Sequence, residues 1–370
     1  MSRLEAANPP PPMRWAMSKV LGRWADAKRL AARRARFEAG RRRAGGAHVV
    51  EYFHQVDDGY SHLAAQLLGA FVERYDVRLI CHLVPGPSGR NAPEPEMLSQ
   101  LSPDDAARIA PQYKLDFPAT SGLADAELVD LATRILANTA TDSNAFAKAA
   151  PLVGEALWSG SAKAMQTLAE QCGCADGETA QAVLAAGERQ RAALGHYSGA
   201  MFHYGGEWYW GVDRLYHLEN RLIELGVNRA SGGQLAPRPR IETGPRRDDG
   251  SLTLEVYPSV RSPYSAVAFD AAVDLARASG VRLVVRPVLP MVMRGLPVTR
   301  TKGMYIFSDA AREARAHGQV DWGNYYEPIG EPVKRCYSLY PWAAEQGRGI
   351  EYLSAFMAAA FRQGVNTGTD

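Results

Sequence analysis

The stretch RSPYS, Arg261–Ser265, closes a short apolar run, LTLEVYPSV, and an earlier stretch, DDGYS, Asp57–Ser61, closes VVEYFHQV in the same way. Both read as a strand running into a helix, because alternating apolar residues give way to a capping residue and then to helical spacing. Sliding the chain against itself shows that the likeness extends further. Glu51, Val56, Tyr60, Ser61 and Ala64 fall on Glu255, Val260, Tyr264, Ser265 and Ala268, an offset of 255 − 51 = 204. The same offset carries Val77-Arg78-Leu79 onto Val281-Arg282-Leu283, Val84 onto Val288, Ala110 onto Ala314, Ala156 onto Ala360 and Gly160 onto Gly364. Matches that hold one register over such a span predict a tandem duplication.

Each copy opens with a strand (Val50, Tyr52; Leu254, Val256), a helix (Leu63, Leu67, Phe71; Val267, Ala271, Leu275) and a second strand (Val77, Leu79; Val281, Leu283, Val285). That order predicts a parallel strand-helix-strand unit. A long Ala-rich helical region follows, with breaks expected near Pro118 to Gly122 and Cys172 to Gly177. Copy one then closes with SGAMFHYGGEWYWG, two aromatic strands about Gly205-Gly206, and a last helix with Leu215, Leu218, Leu222 and Leu225 on one face. Since 370 − 204 = 166, nothing in copy one after Met165 has a counterpart, so copy two lacks the closing hairpin and last helix.

The expected layout is a basic N-terminal extension over 1–46, copy one over 47–235, a Pro-, Gly- and charge-rich linker over 236–250, and copy two over 251–370. With 370 residues, 46% of them hydrophobic, the chain is long enough for about two cored domains. A net charge of +2 gives no reason to expect nucleic acid. The basic excess lies between Met13 and Gly46, from Arg14 and Lys19 to Arg41, Arg42 and Arg43, against only Asp26 and Glu38 as acids. Met13, Met17, Leu21 and Trp24 recur at helical spacing there, which suits either a peripheral contact with an anionic membrane or a helix packed on the domain and followed by a flexible basic stretch, Arg33 to Arg43. No apolar run reaches the length of a membrane span or a secretory signal, and the expected location is the cytoplasm.

The four cysteines, Cys81, Cys172, Cys174 and Cys336, form no Cys-x-x-Cys pair and no zinc spacing, so neither a disulfide framework nor a metal site is expected. The histidines of copy one show no Ser-His-acid order, and Trp208, Tyr209, Trp210 and Tyr216 read as core or docking surface.

The Ser262-Pro263-Tyr264-Ser265 turn, the helical insertion and the closing Trp210-Gly211-Val212-Asp213-Arg214-Leu215 resemble the DsbA-like thioredoxin superfamily. More narrowly, they are similar to its 2-hydroxychromene-2-carboxylate isomerase and kappa-class glutathione transferase branch. The resemblance implies an α/β fold of two DsbA-like thioredoxin-fold domains with helical insertions, the second without its hairpin and last helix. It also implies a glutathione-dependent isomerase or transferase acting on a small organic substrate; a homodimer is one candidate assembly, which the sequence does not decide. Glutathione would be the co-substrate. Ser262 would be the catalytic residue, its hydroxyl donating to the glutathione thiolate at a helix N-terminus. Pro263, Tyr264, Ser265, Lys302 and Asp309, with Asp213 and Arg214 of copy one, would form the glutathione and substrate site.

Plainer readings stand beside these. Serine is a favoured N-cap and proline a favoured first helical residue, so Ser262-Pro263 also suits capping alone. Asp213 and Arg214 suit a capped helix with a surface cation, and Lys302 and Asp309, with Arg294 and Tyr305, a solvated helix face. Copy one departs from the pattern: Asp58 stands where Ser262 stands, because 262 − 58 = 204, and its carboxylate would repel a thiolate. Ala200 occupies the place of the superfamily's cis-proline. A non-catalytic thioredoxin-fold scaffold is therefore the rival function. A DsbA-family thiol-disulfide oxidoreductase is an alternative in name only, since it lacks its cysteine pair.

Overall fold

A computed structural model describes residues 9–118, 122–229 and 232–369; the break expected near Pro118 to Gly122 lies partly outside them. Two helices come first, α1 (Pro11–Ala25) and α2 (Ala27–Arg43). Residues 119–121 aside, the next elements are β1 (Val49–His54), α3 (Gly59–Ala65), α4 (Leu68–Arg74), β2 (Arg78–Leu83), α5 (Pro95–Ile109), α6 (Ala126–Thr139), α7 (Ser143–Trp158), α8 (Ala162–Cys172) and α9 (Gly177–Ala193). The hairpin β3 (Met201–Tyr204) and β4 (Glu207–Trp210) leads to α10 (Leu215–Glu224). Then follow β5 (Thr253–Val256), α11 (Pro263–Ser279), β6 (Arg282–Val285), α12 (Arg300–Ala316), α13 (Glu331–Glu345) and α14 (Gly349–Ala358).

The fold is mixed α/β, and its contacts divide it into two units, Arg36–Pro239 and Met1–Ala35 with Arg240–Asp370. In the first, a four-stranded sheet runs β2-β1-β3-β4. β1 and β2 are parallel, while β3 and β4 each run antiparallel to the preceding neighbour. Gly205 and Gly206, at φ +56° and +80°, supply the two left-handed residues that a tight hairpin demands. Val50, Tyr52, Leu63, Phe71, Leu83, Phe202 and Leu222 lie in one continuous core with α6, α7 and α10. Helix α9 covers the sheet closely: a Cβ at Gly187 would lie 1.9 Å from the Leu83 carbonyl oxygen.

In the second unit, β5 and β6 are parallel, and among the described residues they form a two-stranded sheet. Their register repeats that of β1 and β2 at the same offset: Val49 faces Arg78 and Thr253 faces Arg282, Tyr52 faces Cys81 and Val256 faces Val285. The hydrogen bond from Arg78 N to His48 O returns as Arg282 N to Leu252 O, and Val84 N to His54 O as Val288 N to Pro258 O. Apolar residues of α11, α13 and α14, among them Phe269, Val333, Leu353 and Met357, pack beneath this sheet with Val260.

The N-terminal residues are built into these units. Ala25 of α1 joins a core cluster with Phe307, Trp322 and Phe361, and Ser18 Oγ accepts from Glu327 N at 2.9 Å. Where a flexible basic stretch was one expectation for Arg33 to Arg43, the chain is helical through Arg43. Its end is held in the first unit because Glu38 is buried and accepts from Tyr204 Oη at 2.7 Å and Arg41 Nε at 2.8 Å. The Arg221 guanidinium lies 4.5 Å from the Tyr204 ring centroid, completing a buried cationic and aromatic cluster. Sequence position alone does not reveal this, because Glu38 meets Tyr204 across 166 residues.

Candidate functional site

The two strand-to-helix turns share one construction. In the second unit, Ser262 is the N-cap of α11, a helix of 17 residues with Pro263 in its first turn, and Ser262 Oγ accepts from Ser265 N at 3.3 Å. Ser265 Oγ in turn accepts from Ser259 N at 3.1 Å. In the first unit, Asp58 caps α3 by accepting from Ser61 N at 2.9 Å, and Ser61 Oγ accepts from Gln55 N at 3.2 Å. The chemistry at the cap differs. Asp58 Oδ2 also accepts from Ser61 Oγ at 2.8 Å and Oδ1 from Ser102 Oγ at 3.0 Å, so both carboxylate oxygens are engaged. Burial raises the Asp58 pKa against the lowering effect of these bonds. Gly59 is wedged against α5, where an added Cβ would lie 2.9 Å from Ala106 Cβ.

A second contact that recurs in both units ties the turn to the following helix. Tyr60 Oη donates to Asp105 at 2.7 Å, and Tyr264 Oη donates to Asp309 at 2.8 Å, both 45 residues apart. Asp309 is fully buried and also accepts from Arg312 Nη2 at 2.9 Å. The structure therefore joins Tyr264 and Asp309 directly and makes that carboxylate an internal anchor. Sequence reading placed both Tyr264 and Asp309 among ligands and missed that they pair with each other. The available signal was that Asp105 and Asp309 also fall on each other under the 204-residue shift.

Lys302 lies in the first turn of α12, where its backbone N donates to Thr299 Oγ1 at 3.2 Å. Burial lowers the ammonium pKa. Arg261, overlooked as a site residue although it opens the RSPYS stretch, adjoins the cap and donates through Nε to the buried Glu327 at 2.7 Å. Asp57 holds the corresponding place in the first unit, so the turn at Ser262 carries a paired guanidinium where the turn at Asp58 carries a second acid.

Asp213 and Arg214 belong to the first unit, in a 3-10 turn after β4, with Arg214 Nη1 2.7 Å from Asp213 Oδ2. They thus accompany the Asp58 turn: the Tyr60 and Trp210 rings meet edge to face at 5.6 Å. Ala200 takes φ +53°, and its carbonyl accepts from Gly211 N at 2.7 Å. That backbone acceptor is engaged within the fold.

All four cysteines are free thiols. Burial pushes Cys81 up to about 12 and Cys336 up to about 11, the opposite of an activated thiol. His54 and His196 are buried, and burial lowers each to about 3. Among the described residues no cluster of His, Cys, Asp or Glu could hold a metal ion, and no helix is long and apolar enough to cross a membrane.

No protein-family model and no curated protein matches the chain. Among solved structures, it is similar to a 2-hydroxychromene-2-carboxylate isomerase at 20% identity and a TM-score of 0.34, over 48% of this chain and 96% of that one. It is also similar to a probable DsbA oxidoreductase from Streptomyces coelicolor at 13% identity and a TM-score of 0.36, over 50% of this chain and 93% of that one. Each of these proteins is matched nearly whole by about half of this chain.

Proposed function

We propose that the chain is a tandemly duplicated DsbA-like protein whose second unit is a glutathione-dependent isomerase or transferase for a small organic substrate, with Ser262 as its catalytic residue. The observation that carries this reading is the cap of α11. Ser262 presents a hydroxyl at the N-terminus of a 17-residue helix, at the place where the other unit presents the Asp58 carboxylate. The recurrence of register and turn bonds at 204 residues supports the duplication.

Bound glutathione would supply the thiolate nucleophile. Ser262 Oγ accepts from Ser265 N and keeps its own proton to donate toward sulfur. Such a charge-assisted hydrogen bond is worth about 1.5–3 kcal/mol, and the helix end adds about 0.3–1 kcal/mol. Pro263 fixes the first helical turn, Ser265 ties the preceding loop to the helix, and Tyr264 braces the helix on Asp309. Lys302, with its pKa lowered by burial, would meet the anionic part of the substrate or peptide. Asp58 cannot play the serine's part, because its oxygens are occupied acceptors.

Calorimetric titration of the whole chain with glutathione, paired with a conjugation or isomerase assay, tests the reading. Ser262→Ala should lower the rate about 10- to 100-fold, in line with the loss of one such bond, and Asp58→Ala should leave it within about twofold. Absence of binding at millimolar glutathione would sink the enzyme reading. A non-catalytic scaffold would then be the better account. One observation favours it already: β5 has β6 as its strand partner among the described residues, where β1 has both β2 and β3.

A further inference from the structure

We propose that the outward face of α1 and the basic groove beside it dock on an anionic phospholipid surface. The helix buries one side within its unit: Arg14, Ser18 and Ala25 are buried, and Leu21 packs against the Phe307 cluster. At 100° per residue, Lys19, Arg23 and Val20 fall opposite that side, with Trp15 and Trp24 on its two flanks, half a turn apart. Trp15 is 55% exposed, Val20 60% and Trp24 42%. This outward surface sets an exposed valine beside two cations, with a tryptophan on either flank. The fold makes limited use of them, since Trp24 Nε1 donates to Ser308 and Arg33 lies over the Trp24 ring, while much of that ring stays exposed.

Beside this face lies an open groove of about 490 Å³ whose lining includes Lys19, Arg23, Lys28, Arg29, Val320 and Trp322. Asp26 and Asp321 also line it, but each is engaged: Asp26 Oδ1 accepts from Arg29 N at 2.8 Å, and Asp321 accepts from Arg362 Nε at 3.0 Å. The buried Trp322 indole N–H has no partner among the described residues. Val320, 83% exposed, stands at the rim. From residue 11 to 35 the chain has seven cations (Arg14, Lys19, Arg23, Lys28, Arg29, Arg33, Arg34) and one acid (Asp26), and 7 − 1 gives +6.

This charge and these apolar side chains call for the same partner. A free anion would use the cations but not the exposed Trp15 and Val20, and an uncharged apolar surface would use the reverse. Lipid headgroups meet the groove with phosphate while Val20 and the flanking Trp15 enter the boundary beneath them. With no membrane-crossing helix among the described residues, the contact is peripheral.

Vesicle flotation of the whole chain tests this, independently of any glutathione chemistry. The protein should float with phosphatidylcholine vesicles containing phosphatidylserine, far less with phosphatidylcholine alone, and progressively less as salt rises. Each cation at such a surface is worth about fivefold in partitioning, so Lys19→Glu with Arg23→Glu should cost at least about thirtyfold. Lys19→Gln with Arg23→Gln should retain part of the binding, and Trp15→Ala with Val20→Ala should weaken it about tenfold or more. Circular dichroism melting, expected to be unchanged for these outward substitutions, checks folding. The proposal falls if the anionic vesicles do not bind, if the charge-reversed variant floats like the parent, or if inorganic phosphate or single-stranded RNA displaces the vesicles at comparable charge concentration.

Discussion

At the residue scale, the clearest lesson lies in two tyrosines. Tyr264 donates to Asp309, which is fully buried, whereas Tyr60 donates to Asp105, which keeps part of its contact with solvent. Removing a donor from a buried carboxylate costs the desolvation of that acceptor, so Tyr264→Phe should lose about 1–3 kcal/mol of stability in urea unfolding. Arg312 remains on Asp309, which keeps the figure within that range. Tyr60→Phe should cost about 0.5–1.5 kcal/mol, because water can replace the lost donor. Equal losses would show that the two contacts are not distinguished by burial. The caps Asp58 and Ser262 were legible in sequence because capping is local: residue type, the next few amides and the following helical spacing lie within one turn. The Tyr-Asp anchor was not, because its partners are 45 residues apart and nothing local to Asp309 separates a buried anchor from a ligand. Arg261 illustrates the same limit, since its partner Glu327 lies 66 residues on.

At the element scale, β1 carries the electrostatic character of the first unit. On one face, Glu51 accepts from His82 Nε2 at 2.9 Å and Gln190 Nε2 at 2.7 Å, with His203 Nδ1 at 3.8 Å. Burial raises the Glu51 pKa, but the nearby His203 and the hydrogen bonds from His82 and Gln190 outweigh it and hold the carboxyl well below the usual range. On the other face, His54 is buried beside Tyr52 Oη at 3.0 Å, and burial lowers it to about 3. Both depressed values give the same sign. The folded state resists protonation, so stability is present above the unfolded-state pKa and lost as pH falls toward the folded one. For His54 that window runs from about 6.5 to about 3, with a slope of up to about 1.4 kcal/mol per pH unit. Thermal melting should therefore show an acid limb starting near pH 6.5, and His54→Asn should flatten its upper part. A melting temperature independent of pH between about 6.5 and 4.5 would contradict the buried neutral imidazole. Strand and hairpin positions were legible here because period-two alternation and the Gly205-Gly206 turn are strong local signals. The single helix expected over Leu63, Leu67 and Phe71 is instead α3 and α4, separated at Gln66 and Leu67.

At the scale of the whole molecule, the recurrence at 204 residues could be read from the sequence because it preserves residue identity at turns and strand positions. What it could not reveal was the place of α1, which lies outside the recurrence and reaches the second unit through tertiary contacts alone. Ala25 packs with Phe307 and Trp322, Ser18 Oγ satisfies the Glu327 amide, and Arg315 Nη1 donates to Ala25 O at 3.0 Å. Glu327 is in turn the partner of Arg261, one residue before the Ser262 cap. Deleting residues 1–26 should therefore expose the Phe307 cluster and leave the buried Glu327 amide without an acceptor, a loss of at least about 2 kcal/mol. The first unit should be indifferent, since α1 contributes nothing to the core around Tyr52, Leu63 and Leu222. Hydrogen exchange read peptide by peptide separates the two: faster exchange is expected in α11 and α12, with protection of β1, β3 and α10 retained. Equal loosening of both units would mean that they unfold as one cooperative body, and unchanged exchange in α12 would remove α1 from the second unit's core.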